Sequence, residues 1–119
     1  MVQYNGVTLA YIGDAVYELY IRETLIKNGL TKVDSLHQEA IKYTSANGQK
    51  AALDVIYESL TEGEISIFKR GRNASSMRKA RNADLSVYKQ ATGFEALIGY
   101  LHITQNFERL HEIMSIIIK

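Results

Sequence analysis

Apolar residues recur along most of this chain at intervals of three and four, the spacing that lines one face of an α-helix. Leu9, Ile12, Val16 and Leu19 set out such a face, and the pattern predicts a first helix from about Val7 or Thr8 to Asn28. Gly29 is placed to end it in the left-handed conformation. A second helix is expected from a cap at Asp34 or Ser35, where Ser35 and Gln38 have capping-box spacing, to about Ala46. Asn47–Gly48 reads as a break, and a third helix follows over Gln49–Leu60. Thr61 and Glu64 form a second capping-box pair and open a short fourth helix to about Arg70. The stretch 71–84, GRNASSMRKARNAD, has almost no large apolar residue and no periodicity, and reads as a loop. The helical pattern resumes from about Leu85 to about Ile103. Thr104 or Asn106 is placed to cap a last helix, whose Ile116–Ile118 tail needs a burial partner in the core or in another subunit.

Composition narrows this to an all-α helical bundle. Proline and tryptophan are absent and turn signals are sparse, whereas a sandwich or barrel needs a turn every 8–12 residues or so. A length of 119 residues fits one domain, residues 1–119, with a core large enough to need no staples. The absence of cysteine excludes disulfides and thiolate metal sites. No apolar run reaches the roughly 18 residues of a membrane span, and the N-terminus lacks a secretory layout. The expectation is a cytoplasmic protein with no membrane partner.

The net charge of +1 hides an asymmetry. Lys69, Arg70, Arg72, Arg78, Lys79 and Arg81 fall within thirteen residues that contain no acid, and without these six charges the remainder of the chain stands at −5. A basic loop at about 69–84 on an acidic body points to a phosphate-rich partner met through one local surface.

Two carboxylates break the local pattern. Asp14 follows Gly13 inside LAYIGDAVYELY, where glycine costs roughly 1 kcal/mol relative to alanine and aspartate is also a poor helix former. Glu95 sits among Phe94, Ala96, Leu97 and Ile98 in TGFEALIGYLHI. A buried carboxylate takes up a proton, pairs with a cationic side chain or binds a cation. One reading is therefore an ordinary interhelical ion pair. The other is convergence on a hard divalent ion, for which magnesium is the natural candidate, with Glu18 one turn after Asp14 as an auxiliary ligand.

Taken together, AYIGDAVYE at 10–18 and TGFEALIG at 92–99 resemble the two signature segments of the ribonuclease III catalytic domain, in order and separation, and the similarity spans nearly the whole chain. LAYIGDAVYE, FKRGRNA and FEALIGYLH are most similar to the short Mini-ribonuclease III branch, which has no double-stranded-RNA-binding domain. The resemblance implies an all-α ribonuclease III endonuclease-domain-like bundle, a homodimer, magnesium dependence with manganese as a substitute, and cleavage of double-stranded RNA. For the Mini branch it further implies maturation of the 23S ribosomal RNA precursor, with a ribosomal protein as a candidate assistant. Asp14 and Glu95 match the family's metal-binding, catalytic acids, and Tyr11 matches an aromatic at the dimer interface. Ala10 and Thr92 occupy two further acidic positions of the pattern, so a four-carboxylate site is reduced to two, with Glu18 in reserve.

RNA contact is expected from Lys69, Arg70, Arg72, Asn73, Arg78, Lys79 and Arg81, with Ser75, Ser76 and Asn82 supplying polar groups suited to phosphates and 2′-hydroxyls. The histidines show no metal-ligand spacing. His102 shares a helix face with Glu95 but reads as an ordinary core or surface residue. Two other readings stand beside the nuclease. One is a catalytically weakened or inactive structured-RNA-binding homologue, which the missing acids favour. The other is a helical protein-interaction module.

Overall fold

The side chain of Asn5 accepts a hydrogen bond from the Thr8 amide at 2.8 Å and starts α1 (Gly6–Lys27) by satisfying one of the amides a helix start leaves unpaired. The computed structural model describes residues 4–74 and 84–119. After α1 come α2 (Val33–Thr44), α3 (Ala46–Ile56), a 3₁₀ turn over Tyr57–Ser59, α4 (Glu62–Ala74), α5 (Asp84–Ile103) and α6 (Phe107–Ile117). The described residues form helices and connecting turns without a strand, as the hydrophobic pattern predicts. No helix among them is long and apolar enough to cross a membrane.

Local signals account for most of the helix ends. Gly29 adopts φ 104°, its amide donates to the Ile26 carbonyl, and the Leu30 amide donates to Leu25, which together close α1 in a Schellman motif. At the start of α4 the Thr61 amide donates to Glu64 Oε1 at 2.9 Å and the Glu64 amide donates to Thr61 Oγ1 at 3.1 Å, the reciprocal capping box read from the sequence.

Other expectations are corrected. α2 begins at Val33 with Lys32 at its cap position and no side-chain cap, so Asp34 and Ser35 already lie within the helix and the Ser35–Gln38 box is not made. Asp34 instead places a carboxylate in the positive first turn. The break between α2 and α3 falls at Ser45, whose hydroxyl accepts from the Gly48 amide, and Asn47 and Gly48 are helical. Gly48 serves close packing here, because a Cβ on it would collide with the Lys42 carbonyl of α2. α4 continues to Ala74, so Lys69, Arg70, Arg72 and Asn73 are helical and not part of a loop. Arg78, Lys79, Arg81, Ser75, Ser76 and Asn82 lie outside the described residues. Asn106 takes the cap position of α6 without a side-chain bond, and Thr104 turns its hydroxyl back to the Tyr100 carbonyl.

α5 is the central helix, and α1, α3, α4 and α6 all pack against it. Tyr17, Ile21, Leu53, Ile56, Phe94, Leu97, Ile98, Leu101, Leu110 and Ile113 are fully buried around it. Each such side chain contributes roughly 1.5–3 kcal/mol of transfer free energy. Leu19 departs from the expected buried face and is 58% exposed, since the stripe that α1 buries runs through Leu9, Gly13, Val16, Tyr17, Ile21 and Leu25. The C-terminal tail is divided: Ile118 is buried against the core, whereas Ile116 is exposed.

Candidate active site

The geometry of the site follows from a crossing of two helices at glycines. A Cβ on Gly13 would overlap the carbonyl oxygen of Glu95, and one on Gly99 would overlap the carbonyl oxygen of Leu9. Backbones of α1 and α5 therefore touch, with no side chain holding them apart. The residue that follows Gly13 is Asp14, and at this spacing its carboxylate comes within hydrogen-bonding reach of the Glu95 side chain. Asp14 is exposed on the outer side of α1, and Glu95 is half-buried.

Electrostatics single out Glu95. Burial, together with the hydrogen bond and the like charge of Asp14, pushes its carboxyl up to about 8, and the Gln49 amide partly offsets this. Among the described residues no cationic side chain pairs with Glu95, whose partners there are the Asp14 carboxylate and the neutral Gln49 amide. Two carboxylates in this arrangement share a proton or bind a cation, and their oxygen-only donor set suits a hard divalent ion.

Gln49, on α3, is the residue that sequence reading missed. Its Nε2 donates to Glu95 Oε2 at 3.0 Å and to the Thr44 carbonyl at 3.4 Å, and the side chain is only 3% exposed. A glutamine on an otherwise apolar helix face carries a weak signal, and its partner lies 46 residues away.

Glu18 lies one turn after Asp14 on α1. Its carboxylate accepts from Arg22 at 3.1 Å, and it lines a groove of about 660 Å³ between α1 and α2. Among the described residues no group of three or more His, Asp or Glu side chains is arranged to hold a metal ion. Ala10 is buried in a small cluster with Leu9, Ile67 and Ala96. Thr92 is buried with its hydroxyl donating to the Tyr88 carbonyl of its own helix at 3.0 Å. Both positions therefore serve packing. His102 packs edge-on against Phe107 at 5.5 Å and belongs to the α5–α6 corner.

Another carboxylate, the buried Glu64, has a structural task. Arg109 Nε donates to its Oε2 at 2.8 Å, and the same guanidinium reaches Glu64 Oε1, the Ser59 carbonyl and Glu112. This clamp ties the start of α4 to α6.

α4 packs closely on both helices of the crossing: a Cβ on its Gly71 would meet Gly93 and Ala96 of α5, and one on Gly6 of α1 would meet the backbone of Arg70 and Gly71. Lys69 and Asn73 are exposed, and Arg70 donates to the Tyr4 carbonyl. Arg72 lies over the Phe68 ring at 5.6 Å and donates to Asn73. Tyr11, on the outer face of α1, is 84% exposed, with Tyr4 and Val7 also exposed near that end.

Residues 7–106 match the family model described as Ribonuclease III domain. The chain is 53% identical over 113 residues to a Mini-ribonuclease 3 of Streptococcus pneumoniae, covering 93% of this chain and 88% of the relative. It is 50% identical over 119 residues to a Mini-ribonuclease 3 of Enterococcus faecalis, covering 98% and 90%. A crystal structure of a protein from Fusobacterium nucleatum is similar with a TM-score of 0.84 and 30% identity, over 97% of this chain and 92% of that one.

Proposed function

The chain belongs to the ribonuclease III family, and from that premise we propose that it is a magnesium-dependent endonuclease acting through Asp14 and Glu95, with the 23S ribosomal RNA precursor as its substrate. It is an endoribonuclease, and double-stranded RNA is the substrate that the family implies. The observation that carries the proposed site is the meeting of Asp14 and Glu95 across the Gly13 contact.

Oxygen donors on two different helices suit a magnesium ion that keeps several waters. Held by Asp14 and Glu95, such an ion would supply a more acidic bound water and charge neutralisation at the scissile phosphate. Exposure and burial support the proposed roles of the two side chains. Asp14, exposed on α1, stands where a phosphate backbone can approach. Glu95, half-buried and hydrogen-bonded by Gln49, would hold the ion from α5 once its raised carboxyl is deprotonated. Neither carboxylate needs to attack the RNA.

Lys69, Arg70, Arg72 and Asn73 on α4, with Arg78, Lys79 and Arg81 following in sequence, are the proposed backbone grip. Cationic contacts of this kind release condensed counterions and are independent of base sequence. A-form RNA is read mainly by shape, phosphates and 2′-hydroxyls, which suits the cationic and polar side chains of this stretch. A homodimer completes the proposal: the exposed Tyr11, Tyr4 and Val7 are the apolar surface it would cover, and two sites then face the two strands. A cytoplasmic setting and an assisting ribosomal protein belong to the same reading.

Purified protein mixed with long duplex RNA, or with a 23S precursor fragment, and magnesium is expected to cleave. Asp14→Asn and Glu95→Gln are expected to keep the fold and abolish cleavage. Tight binding by the wild-type chain without cleavage would overturn the proposal and leave the structured-RNA-binding homologue.

A further inference from the structure

Three polar side chains are buried among the described residues: Gln49, Glu64 and Thr92. Two of them are explained by the fold. Thr92 is satisfied by its own helix, and Glu64 by its capping box and Arg109. Gln49 is different, because it spends its amide on the carboxylate of Glu95, on another helix.

We infer that Gln49 is a positioning residue for Glu95: it holds the carboxylate in one orientation by occupying Oε2 and presents Oε1 to the cation. The inference rests on the proposed metal site and names a further residue of it. The orientation of the amide is fixed by its surroundings, since both groups near Nε2 are acceptors, Glu95 Oε2 at 3.0 Å and the Thr44 carbonyl at 3.4 Å. The flipped amide would set oxygen against oxygen.

The choice of residue type also has a chemical reason. A lysine or arginine at this point would neutralise Glu95 and compete with the metal. A carboxylate would add repulsion to a pair already burdened by it. A neutral amide donates one hydrogen bond, removes rotamer freedom from a flexible glutamate and leaves its charge available.

Gln49 is itself firmly placed. Its backbone amide donates to the Ser45 carbonyl at 2.9 Å, and the Ser45 hydroxyl caps the same helix end at Gly48. Gly48 packs against the Lys42 carbonyl, so the α2–α3 corner as a whole sets the position of the amide. The site is thus built from three helices, with α1 and α5 supplying the charges and α3 the restraint.

The test uses Gln49→Met, which keeps side-chain length and burial but has no donor. Manganese binding to the RNA-free protein is followed by the electron paramagnetic resonance signal of the free ion. Affinity is expected to weaken roughly 10–100-fold, the usual effect of removing a group that orients a metal ligand. In cleavage assays the half-saturating magnesium concentration should rise by a similar factor, while the rate at saturating metal largely recovers. A measurement on the wild-type chain does not depend on the variant folding: the side-chain amide resonances of Gln49 should shift during a magnesium titration with the midpoint of metal binding. Unchanged manganese affinity in a folded Gln49→Met protein, or amide resonances unmoved at saturating magnesium, overturns the inference. Metal binding that is equally indifferent to Asp14→Asn and Glu95→Gln is a separate result, which removes the proposed metal site and the inference with it.

Discussion

Gly13 of α1 lies directly against the backbone carbonyl of Glu95 on α5, with no room for even a methyl group between them. The contact does more than pack two helices. It sets their separation at the point where Asp14 and Glu95 project, so the distance between the two carboxylates is determined by the absence of a side chain next door.

Gly13→Ala is therefore expected to damage stability and site together. Overpacking of this kind costs roughly 1–3 kcal/mol or more, here against backbone that has no rotamer to change. Urea unfolding should register the loss, and cleavage under conditions where the variant remains folded should fall with it. A variant as stable and active as the wild type would show that the helices part without consequence.

The pH dependence of the metal-free protein has a definite sign. The Glu95 carboxyl moves from its ordinary value of 4.5 up to about 8 in the fold, first through burial and then through Asp14. Between these values the folded chain holds a proton that the unfolded chain has released. The stabilising contribution of protonated Glu95 is thus complete below pH 4.5 and is lost as pH rises through about 8. Thermal melts without divalent metal should show this decline, and Glu95→Gln should lack it. Magnesium should restore more stability near the upper end of the window, because its ligands bind it deprotonated. Parallel wild-type and Glu95→Gln curves would contradict this.

Arg109→Met should be strongly destabilising for a reason unconnected with catalysis. It leaves Glu64, whose side chain is 8% exposed, without its cation, and breaking a buried pair from one side costs roughly 3–5 kcal/mol. The Arg109 guanidinium holds the Glu64 carboxyl below the usual carboxylate range. That contribution is present above the ordinary value of 4.5 and lost as pH falls through the lowered one. Urea unfolding across the acid range should show a steeper decline for the wild-type chain than for Arg109→Met.

Neutralising Lys69 and Arg72 to glutamine, in an Asp14→Asn background that binds without cutting, should weaken duplex RNA binding uniformly across sequences. The slope of log affinity against log salt should shrink by about 0.9 for each phosphate no longer neutralised, taking the duplex-DNA coefficient as a guide. A slope that does not change would remove these two residues from the RNA surface.

Much of the fold is legible in the sequence, and the exceptions have specific causes. The Thr61–Glu64 box and the Gly29 terminator act on backbone groups within about four residues, so reading them requires no knowledge of the fold. Gly48 misleads because a glycine that permits close helix packing is indistinguishable in one dimension from one that breaks a helix. Leu19 misleads because its spacing fits a buried face, yet the stripe that α1 buries turns past it.

The sequence by itself determined the helical class, most of the helix limits and the two carboxylates that their apolar surroundings make anomalous. Local hydrogen bonding and hydrophobic periodicity carry that information, and both operate over a turn or two of chain. Only the tertiary structure decided that Asp14 and Glu95 meet, that Gln49 joins Glu95, and that Ala10 and Thr92 serve packing. Those relations depend on how closely helices distant in sequence approach each other. At the α1–α5 crossing, the approach is set by the missing side chain of Gly13.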